Sequence, residues 1–441
     1  MTAEPAAHGQ ARPGPVRRLL ARGLVRAGIV TYVFSGLTMV AYLFSGVISA
    51  RALGPDGRGI TAALTQVIQL AAFVFAMGAA RSLSYFIARR REDGPTLFTT
   101  WTLMLVPLTA VAIGVTQLLL PVIFATDGDQ AIEIGRWFTY TIVLGVGLEL
   151  IYGLLLGVQD FVFFNVVRLA QPALIAATFA VMWWQDVLTV EGALIAATAA
   201  TGLTLAVGLG RALKQIGLGP FAPRLGLTTL WYGVRGQGQA VASSVTARLD
   251  VAILPAFVVS ASVGLYSVAT NVSLIVYHLS NIFAGVVVAA VAAHPDRARV
   301  KVIGSLWASL ALAGVLALGL GLLARPVLGL VYGDSFRDAA EPLVLLLPGA
   351  VLFAGSSILA AGIYAAGRPF TATLAQVAGT VVAVAGLLIF VPSGGITAAA
   401  LVSTASYATV FVATLILYQR VSETPWRLFV PTPAHVRTLA R

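Results

Sequence analysis

The sequence contains twelve apolar stretches, each close to the roughly 20 residues that a helix needs to cross a bilayer. Only 10% of the residues are charged and 59% are hydrophobic, whereas about a quarter of a soluble domain is charged. The pattern therefore predicts an all-α polytopic membrane protein with about 12 transmembrane helices. The predicted spans are 29–49, 61–87, 98–120, 134–156, 164–184, 190–210, 233–257, 264–290, 303–324, 343–366, 370–391 and 396–419.

Lysine and arginine are distributed unevenly among the connections between spans. If the N-terminus is cytoplasmic, the cytoplasmic segments hold 19 basic residues and the opposite loops hold four. Because basic residues stay on the cytoplasmic side, both termini are expected inside the cell. The net charge of +11 is interpreted as this topology signal, with an added attraction to anionic membrane lipids, and no nucleic-acid partner is expected.

The two halves of the chain form an internal repeat with an offset of about 205–210 residues. In the clearest pair, residues 120–145 and 325–349, a Pro-Val pair and a short apolar run precede an acidic glycine turn and a new span. Six spans per half is an even number, so both halves enter the membrane from the same side. The repeat therefore predicts two six-helix lobes related by a pseudo-two-fold axis along the membrane normal.

Two such lobes with a central cavity describe a transporter that works by alternating access. A basic connection joins the lobes, and basic tails flank them. The predicted divisions are a cytoplasmic N-terminal tail at 1–28, an N-lobe at 29–210, a cytoplasmic linker at 211–230, a C-lobe at 231–419 and a cytoplasmic C-terminal tail at 420–441.

Several arginines lie within the predicted spans, where an ionisable side chain normally faces the protein interior or a water-filled cavity. Arg81, Arg235 and Arg248 are predicted to be cavity cations that bind the substrate. Arg168 is close to the cytoplasmic end of its span, so snorkelling to the interface is favoured there. An excess of intramembrane arginine suits an anionic substrate, because the guanidinium group is always charged and matches phosphate geometry.

Two acidic residues also lie at membrane depth. Asp250 and Glu149 are candidates for coupling to H⁺ or Na⁺, or for ion pairs that hold helices together. Asp250 is two residues from Arg248, which places the two side chains about 200° apart on a helix, so they are not expected to pair.

Amide and aromatic side chains in the seventh and eighth spans are candidates for sugar contacts. A helix–helix hydrogen bond is the plainer interpretation of each one. The chain has no cysteine, and its four histidines lack metal-binding spacing, so neither a metal site nor a resident cofactor is expected. The candidate sugar contacts are Gln237, Gln239, Asn271 and Tyr277.

Four motifs lie in order along nearly the whole chain: ARALGPDGRGI at 50–60, RLDVAILPAFVVSASVGLYSVA at 248–269, VYGDSFRDAAEPLVLLLPG at 331–349 and YAAGRPF at 364–370. Together they resemble the motifs of the polysaccharide-biosynthesis flippases, the O-antigen and oligosaccharide branch of the multidrug/oligosaccharidyl-lipid/polysaccharide exporter superfamily.

The resemblance implies a V-shaped pair of lobes and a cationic central cavity. It implies that the protein, in a bacterial plasma membrane, moves an undecaprenyl-pyrophosphate-linked oligosaccharide from the inner to the outer leaflet for cell-surface polysaccharide biosynthesis. A polysaccharide polymerase is then a candidate partner.

Two alternatives remain open. A cation-coupled multidrug or small-molecule exporter of the same superfamily generally has a carboxylate in the first spans of each lobe, but 29–49 contains no acid. A membrane glycosyltransferase or polymerase would need a sizeable extramembrane loop with acidic catalytic residues, and no loop is that long. The protein is therefore expected to be a transporter and not an enzyme. The lipid II flippase branch typically has two further C-terminal helices, which makes that branch a poorer match.

Overall fold

The computed structural model describes residues 15–126, 129–293 and 298–429. Within these ranges the chain is almost entirely helical and forms no β-strand. Short 3₁₀ turns join several of the helices. The helices are α1 (Pro15–Phe75), α2 (Ala79–Arg89), α3 (Gly94–Ile123), α4 (Asp129–Phe138), α5 (Ile142–Gly157), α6 (Phe161–Trp184), α7 (Val190–Gln215), α8 (Pro223–Ile253), α9 (Ser260–Ala293), α10 (Ala298–Leu322), α11 (Ala324–Tyr332), α12 (Ala340–Ala365) and α13 (Pro369–Ser422).

Nine helical stretches in the described ranges are long and apolar enough to cross a membrane, which confirms a multi-pass membrane protein. One of them, Phe370–Ser422, contains two of the predicted spans. Val33–Phe75 contains most of 29–49 but only the first part of 61–87, because a turn at 76–78 separates α1 from α2 within that predicted span. The predicted seventh span lies in α8 and is not among the nine, since its charged and amide residues lower its hydropathy. Large apolar side chains such as Leu118 and Trp184 are exposed on the outer surface, as a hydrocarbon surrounding requires.

Glycine kinks separate the paired spans within α1 and α13. Gly54 has a φ of 66° and Gly395 a φ of 56°, in the left-handed region that favours glycine. Pro55 follows the first kink and has no backbone N–H, so the helical hydrogen-bond ladder is interrupted there. At each of these glycines one helix ends and the next begins, where the sequence predicts a connection between spans.

The ends of the predicted divisions differ from the helix ends. α1 begins at Pro15, inside the predicted N-terminal tail, and residues 1–14 lie outside the described residues. The connection between α7 and α8 covers only residues 216–222, so both helices extend into the predicted linker. In the predicted C-terminal tail, residues 430–441 lie outside the described residues.

The helices of each half of the chain pack mainly within that half. In the first half α1 packs against α6, α2 against α5, and α7 against α5 and α6, whereas in the second half α12 contacts α9, α10 and α13. The halves meet where α1 contacts α8 and α9, and where α2 and α3 contact α8. The end of the bundle that carries residues 89–91 and Arg211 is called the basic end here, and the sequence predicts that it faces the cytoplasm.

At the opposite end, glycines bring the backbones of the two halves together. A Cβ atom on Gly264 of α9 would overlap the carbonyl oxygen of Pro55 in α1, and Gly59 of α1 is equally crowded against the start of α9. Arg51 adds a hydrogen bond across the same boundary, because its Nε donates to the carbonyl oxygen of Val331 at 2.8 Å. The two halves are therefore closed against each other at this end.

At the basic end, α2 and α8 approach through a second glycine pair. A Cβ atom on Gly78 would overlap the backbone of Gly233. Ser82 Oγ donates to the carbonyl oxygen of Thr229 at 2.7 Å, and Trp101 Nε1 donates to Thr229 Oγ1 at 3.0 Å. This side of the boundary is thus held by buried hydrogen bonds as well as by backbone packing.

Asp160 connects two helices of the first half near the basic end. Its carboxylate caps α6 by accepting from the Phe163 amide at 3.3 Å, and it accepts from Arg211 Nη2 and Gln215 Nε2 of α7 at 2.8 Å each. Burial raises the pKa of the Asp160 carboxyl, but the hydrogen bonds from Arg211, Gln215 and the Phe163 amide outweigh burial and lower that pKa below its ordinary value of 3.8. The folded state therefore favours the carboxylate.

Replacing Asp160 with asparagine should lower the Tm at pH 7 by about 2 °C, because asparagine keeps the helix cap but loses the charge that Arg211 binds. A depressed folded-state pKa contributes stability above the unfolded value of 3.8, and this contribution disappears as the pH falls through the folded value. Thermal unfolding in detergent across pH should show the difference between wild type and Asp160→Asn shrinking below pH 3.8. Equal Tm values at pH 7 would contradict this interpretation.

Candidate functional site

Two arginines, one from each half of the chain, lie within electrostatic range of the same two side chains. The charges of Arg168 in α6 and Arg248 in α8 both act on Tyr42 of α1 and on His278 of α9. Arg248 Nη1 also donates across the boundary to Gln66 Oε1 of α1 at 3.2 Å. These five residues are called the central cationic site.

No carboxylate neutralises this site among the residues that the structure describes. The ion pairs among the described residues lie outside this site, and none includes Arg168 or Arg248. Glu149 of α5 and Arg168 both act electrostatically on Tyr152, but no ion pair joins them. Arginine charge held inside a membrane protein without a fixed counter-ion favours an anionic ligand. The planar guanidinium donors fit the oxygens of a phosphate group.

The other two predicted cavity cations lie at a different level of the bundle. Arg235 is exposed, and its guanidinium carbon lies 4.7 Å from the centroid of the Trp231 ring. Arg81 is also exposed, and its charge acts on Tyr364 of α12. Because Arg235 and Arg248 are separated by about 20 Å of rise along α8, they cannot hold one phosphate group together. Arg81 and Arg235 are called the entrance arginines, since they lie towards the basic end.

Asp250 lies in a buried network inside the second half. Its side chain is 2% exposed, and its Oδ2 accepts from the Tyr266 hydroxyl at 2.6 Å and from Ser403 Oγ at 3.0 Å. Arg248 points instead towards Gln66, so the two neighbouring charges have different partners. Asp250 is the carboxylate of this network, since its side-chain partners are hydroxyl groups. The described part of the chain has no cluster of three or more metal-ligating side chains.

The four candidate sugar contacts do not form one site, although two of them share a pocket. Gln239 and Tyr277 line a polar pocket of about 350 Å³ within the second half. Gln237 is buried, and its Nε2 donates to the carbonyl oxygen of Phe73 at 2.9 Å across the boundary between halves. Asn271 is half-buried on α9 and belongs to neither this pocket nor the cleft described next.

An apolar cleft of about 430 Å³ lies at the boundary between the halves. Its walls come from the end of α1, from α8 and from α13, and valines such as Val74, Val241 and Val377 dominate them. Gln237 lies between this cleft and the carbonyl oxygen of Phe73. The cleft is apolar enough to hold a hydrocarbon chain beside the polar interior.

Sequence reasoning assigned Arg168 to the membrane interface and did not include Tyr42 or His278 in the site. Depth along a span can be estimated from sequence, but the direction of the side chain depends on how α6 is rotated against α1. The available signal was the line of polar residues along α6, Asn165, Arg168 and Gln171, which recur at helical spacing. Their common face marks the side of α6 turned towards protein.

The sequence was compared with protein families and with curated proteins. Residues 24–292 match the family described as "Polysaccharide biosynthesis protein", which is more than half of the chain. No curated protein matches the sequence.

The fold is similar to that of solved transporters. The lipid II flippase MurJ in an inward closed conformation aligns with a TM-score of 0.72 and 14% identity, over 91% of this chain and 89% of that chain. An inward-facing multidrug resistance MATE family transporter of the MOP superfamily aligns with a TM-score of 0.69 and 14% identity, over 90% of this chain and 98% of that chain. An outward-facing MATE family transporter aligns with a TM-score of 0.57 and 14% identity, over 90% of this chain and 95% of that chain. At this identity the similarity concerns the fold.

Proposed function

Because this chain belongs to the polysaccharide biosynthesis protein family, we propose that it is a flippase that moves an undecaprenyl-pyrophosphate-linked oligosaccharide from the inner to the outer leaflet of a bacterial plasma membrane. Family and fold place it among the transporters of the multidrug/oligosaccharidyl-lipid/polysaccharide exporter superfamily, which confirms the resemblance and the expectation that the protein is not an enzyme. The substrate and the direction of movement are the proposal.

The observation that carries the proposal is the central cationic site. Arg168 and Arg248 come from different halves and act on the same residues, and no carboxylate among the described residues pairs with them. A pyrophosphate group supplies the missing negative charge and the acceptor oxygens. Such a ligand would contact both halves at once, so binding would be coupled to their relative movement.

The remaining features fit successive stages of one path. The entrance arginines attract the anionic headgroup from the basic end, about 20 Å along α8 from Arg248. The apolar cleft between α1, α8 and α13 gives the polyprenyl chain a place beside the headgroup. The two halves act as the lobes predicted from the repeat. They would separate at the Gly59–Gly264 contact to release the headgroup on the far side, where a polysaccharide polymerase would consume it.

Binding measurements on the purified protein test this function against drug export. A lipid disc containing the protein should bind an undecaprenyl-pyrophosphate-linked trisaccharide saturably, and the bound lipid should raise the Tm. The organic cation ethidium should not compete, because the central cationic site repels it. Saturable ethidium binding without any binding of the lipid would contradict the proposal and favour the multidrug exporter.

Asp250 is proposed as the coupling group for H⁺ or Na⁺, since it is a buried carboxylate without a cationic partner among the described residues. Asp250→Asn keeps the size of the side chain but removes its charge. In liposomes with an imposed ion gradient, we expect the gradient to stop accelerating transport, a loss of about tenfold, while transport without a gradient is unchanged. The exposed Asp334→Asn is the matched control. An Asp250→Asn variant that still responds to the gradient would exclude this role.

A further inference from the structure

The polar pocket of about 350 Å³ lies inside the second half, between α8, α9, α12 and both segments of α13. Its lining includes amide, hydroxyl and phenol groups but no charged side chain. Pockets of a few hundred Å³ with a few convergent polar groups are typical of small-ligand sites. The absence of charge from its lining distinguishes this pocket from the central cationic site and suits an uncharged polar group.

Gln376 of α13 gives the pocket an unsatisfied donor. The side chain is only 5% exposed and lines the pocket, and its Nε2 has no hydrogen-bond partner. A buried amide without a partner costs free energy, and nearly all such groups in folded proteins are hydrogen-bonded. An acceptor oxygen at this wall of the pocket would satisfy the amide.

Three hydroxyl groups on the walls are arranged as acceptors. Ser356 and Ser357 donate to the carbonyl oxygens of Phe353 and Ala354 at 2.7 and 2.8 Å, and Thr414 donates to that of Val410 at 2.6 Å. Each hydroxyl proton is thus engaged by its own helix, which leaves oxygen lone pairs for a donor in the pocket. A ligand that matches these walls carries both hydroxyl donors and oxygen acceptors.

The pocket also has an aromatic wall next to the central cationic site. Tyr277 and Phe353 line it with ring centroids 4.7 Å apart, and Tyr407 stacks on the far side of this pair at 4.7 Å from Phe353. Arg248 acts electrostatically on Tyr407, and His278, the neighbour of Tyr277, belongs to the central cationic site. A group attached to a pyrophosphate at that site could therefore reach the pocket.

We propose that this pocket binds a sugar ring of the lipid-linked headgroup. The proposal rests on the flippase function above and extends it, since it assigns recognition of the saccharide to the second half. The ring hydroxyls satisfy Gln376 and the three hydroxyl acceptors, and the carbon face of the ring packs against Tyr277. Phosphate binding and sugar recognition are then separate properties of neighbouring sites.

The test compares lipids with and without sugar. The affinities of wild type and Gln376→Leu are measured in lipid discs for undecaprenyl pyrophosphate and for three derivatives that carry glucose, galactose or N-acetylglucosamine. Wild type should prefer at least one derivative over the sugar-free lipid. Gln376→Leu should reduce that preference about tenfold without changing the affinity for the sugar-free lipid. Unchanged affinity for the sugar-free lipid also shows that the variant is folded.

Two further variants make the result specific. Ser356→Ala removes one acceptor and, like Gln376→Leu, should reduce the preference for the sugar-bearing lipid over the sugar-free lipid. Gln171→Leu makes the same change as Gln376→Leu at an amide that bonds Thr201 within the first half, and it should leave the preference unchanged. If wild type binds all four lipids equally, or if Gln376→Leu keeps the wild-type preference, the pocket holds only water and the inference is wrong. If wild type binds none of the lipids, the proposed function itself fails.

Discussion

Arg248→Ala should reduce translocation of an undecaprenyl-pyrophosphate-linked saccharide about 100-fold, because a charge-assisted contact with the pyrophosphate is lost in the middle of the path. Arg248 is the arginine of the central cationic site that contacts the other half directly, through Gln66. Replacing Arg248 therefore removes two things at once: a positive charge that balances the charge of the substrate, and a hydrogen bond between the halves. The rate is measured in liposomes with a fluorescent lipid substrate.

Three variants separate these contributions. Gln66→Leu removes only the 3.2 Å hydrogen bond and should change the rate by a few fold at most. Arg248→Lys keeps a charge but loses the planar donors, so its rate should lie between those of wild type and Arg248→Ala. Arg325→Ala removes an arginine whose side chain is 76% exposed and should have no effect. If Arg248→Ala transports at the wild-type rate, Arg248 has no part in the path.

Gly264→Ala is expected to reduce transport tenfold or more by preventing closure at the end opposite the basic end. The added methyl group would overlap the carbonyl oxygen of Pro55, and the backbone atoms of Pro55 and Gly59 leave it no space. The closed arrangement is destabilised, and the population shifts towards a state that is open at that end. A transporter that cannot close there cannot complete its cycle.

The chain contains no cysteine, so accessibility can be measured directly with an introduced one. Ser260 is 6% exposed beside this contact, and Ser260→Cys should react slowly with a maleimide. The same cysteine should react at least tenfold faster in the Gly264→Ala background. Gly319→Ala, where a Cβ atom would meet no other atom within 4 Å, is the matched control. Equal labelling rates in all three backgrounds would show that the glycine contact does not hold this end closed.

Much of the architecture could be predicted because membrane insertion imposes strong rules on sequence. Runs of about 20 apolar residues predicted the helices. The breaks at Gly54 and Gly395 lie where connections between spans were expected, although each is a single non-helical glycine and not a loop. Helix ends were harder to predict, because α7 and α8 continue beyond the predicted spans into the basic connection. The pseudo-two-fold relation of two lobes stays a prediction from the repeat.

The site was predicted less completely, because the direction of a side chain depends on how its helix packs. Arg248 was proposed from its depth in the seventh span, and the structure places it in the central cationic site. Arg168 was assigned to the interface from its depth alone, although its charge acts on the same residues as that of Arg248. Gln376 and the hydroxyls of the polar pocket carry no sequence signal, since a serine or glutamine in a span usually bonds another helix.

The most direct test of the central claim is leaflet-to-leaflet movement of the substrate by the purified protein in liposomes. Wild type should move a fluorescent undecaprenyl-pyrophosphate-linked saccharide between leaflets and should leave a phosphatidylcholine with the same label in place. Replacing Arg168 and Arg248 together with alanine should stop the movement. Equal movement of both lipids by wild type, or undiminished movement by the double variant, would contradict the account.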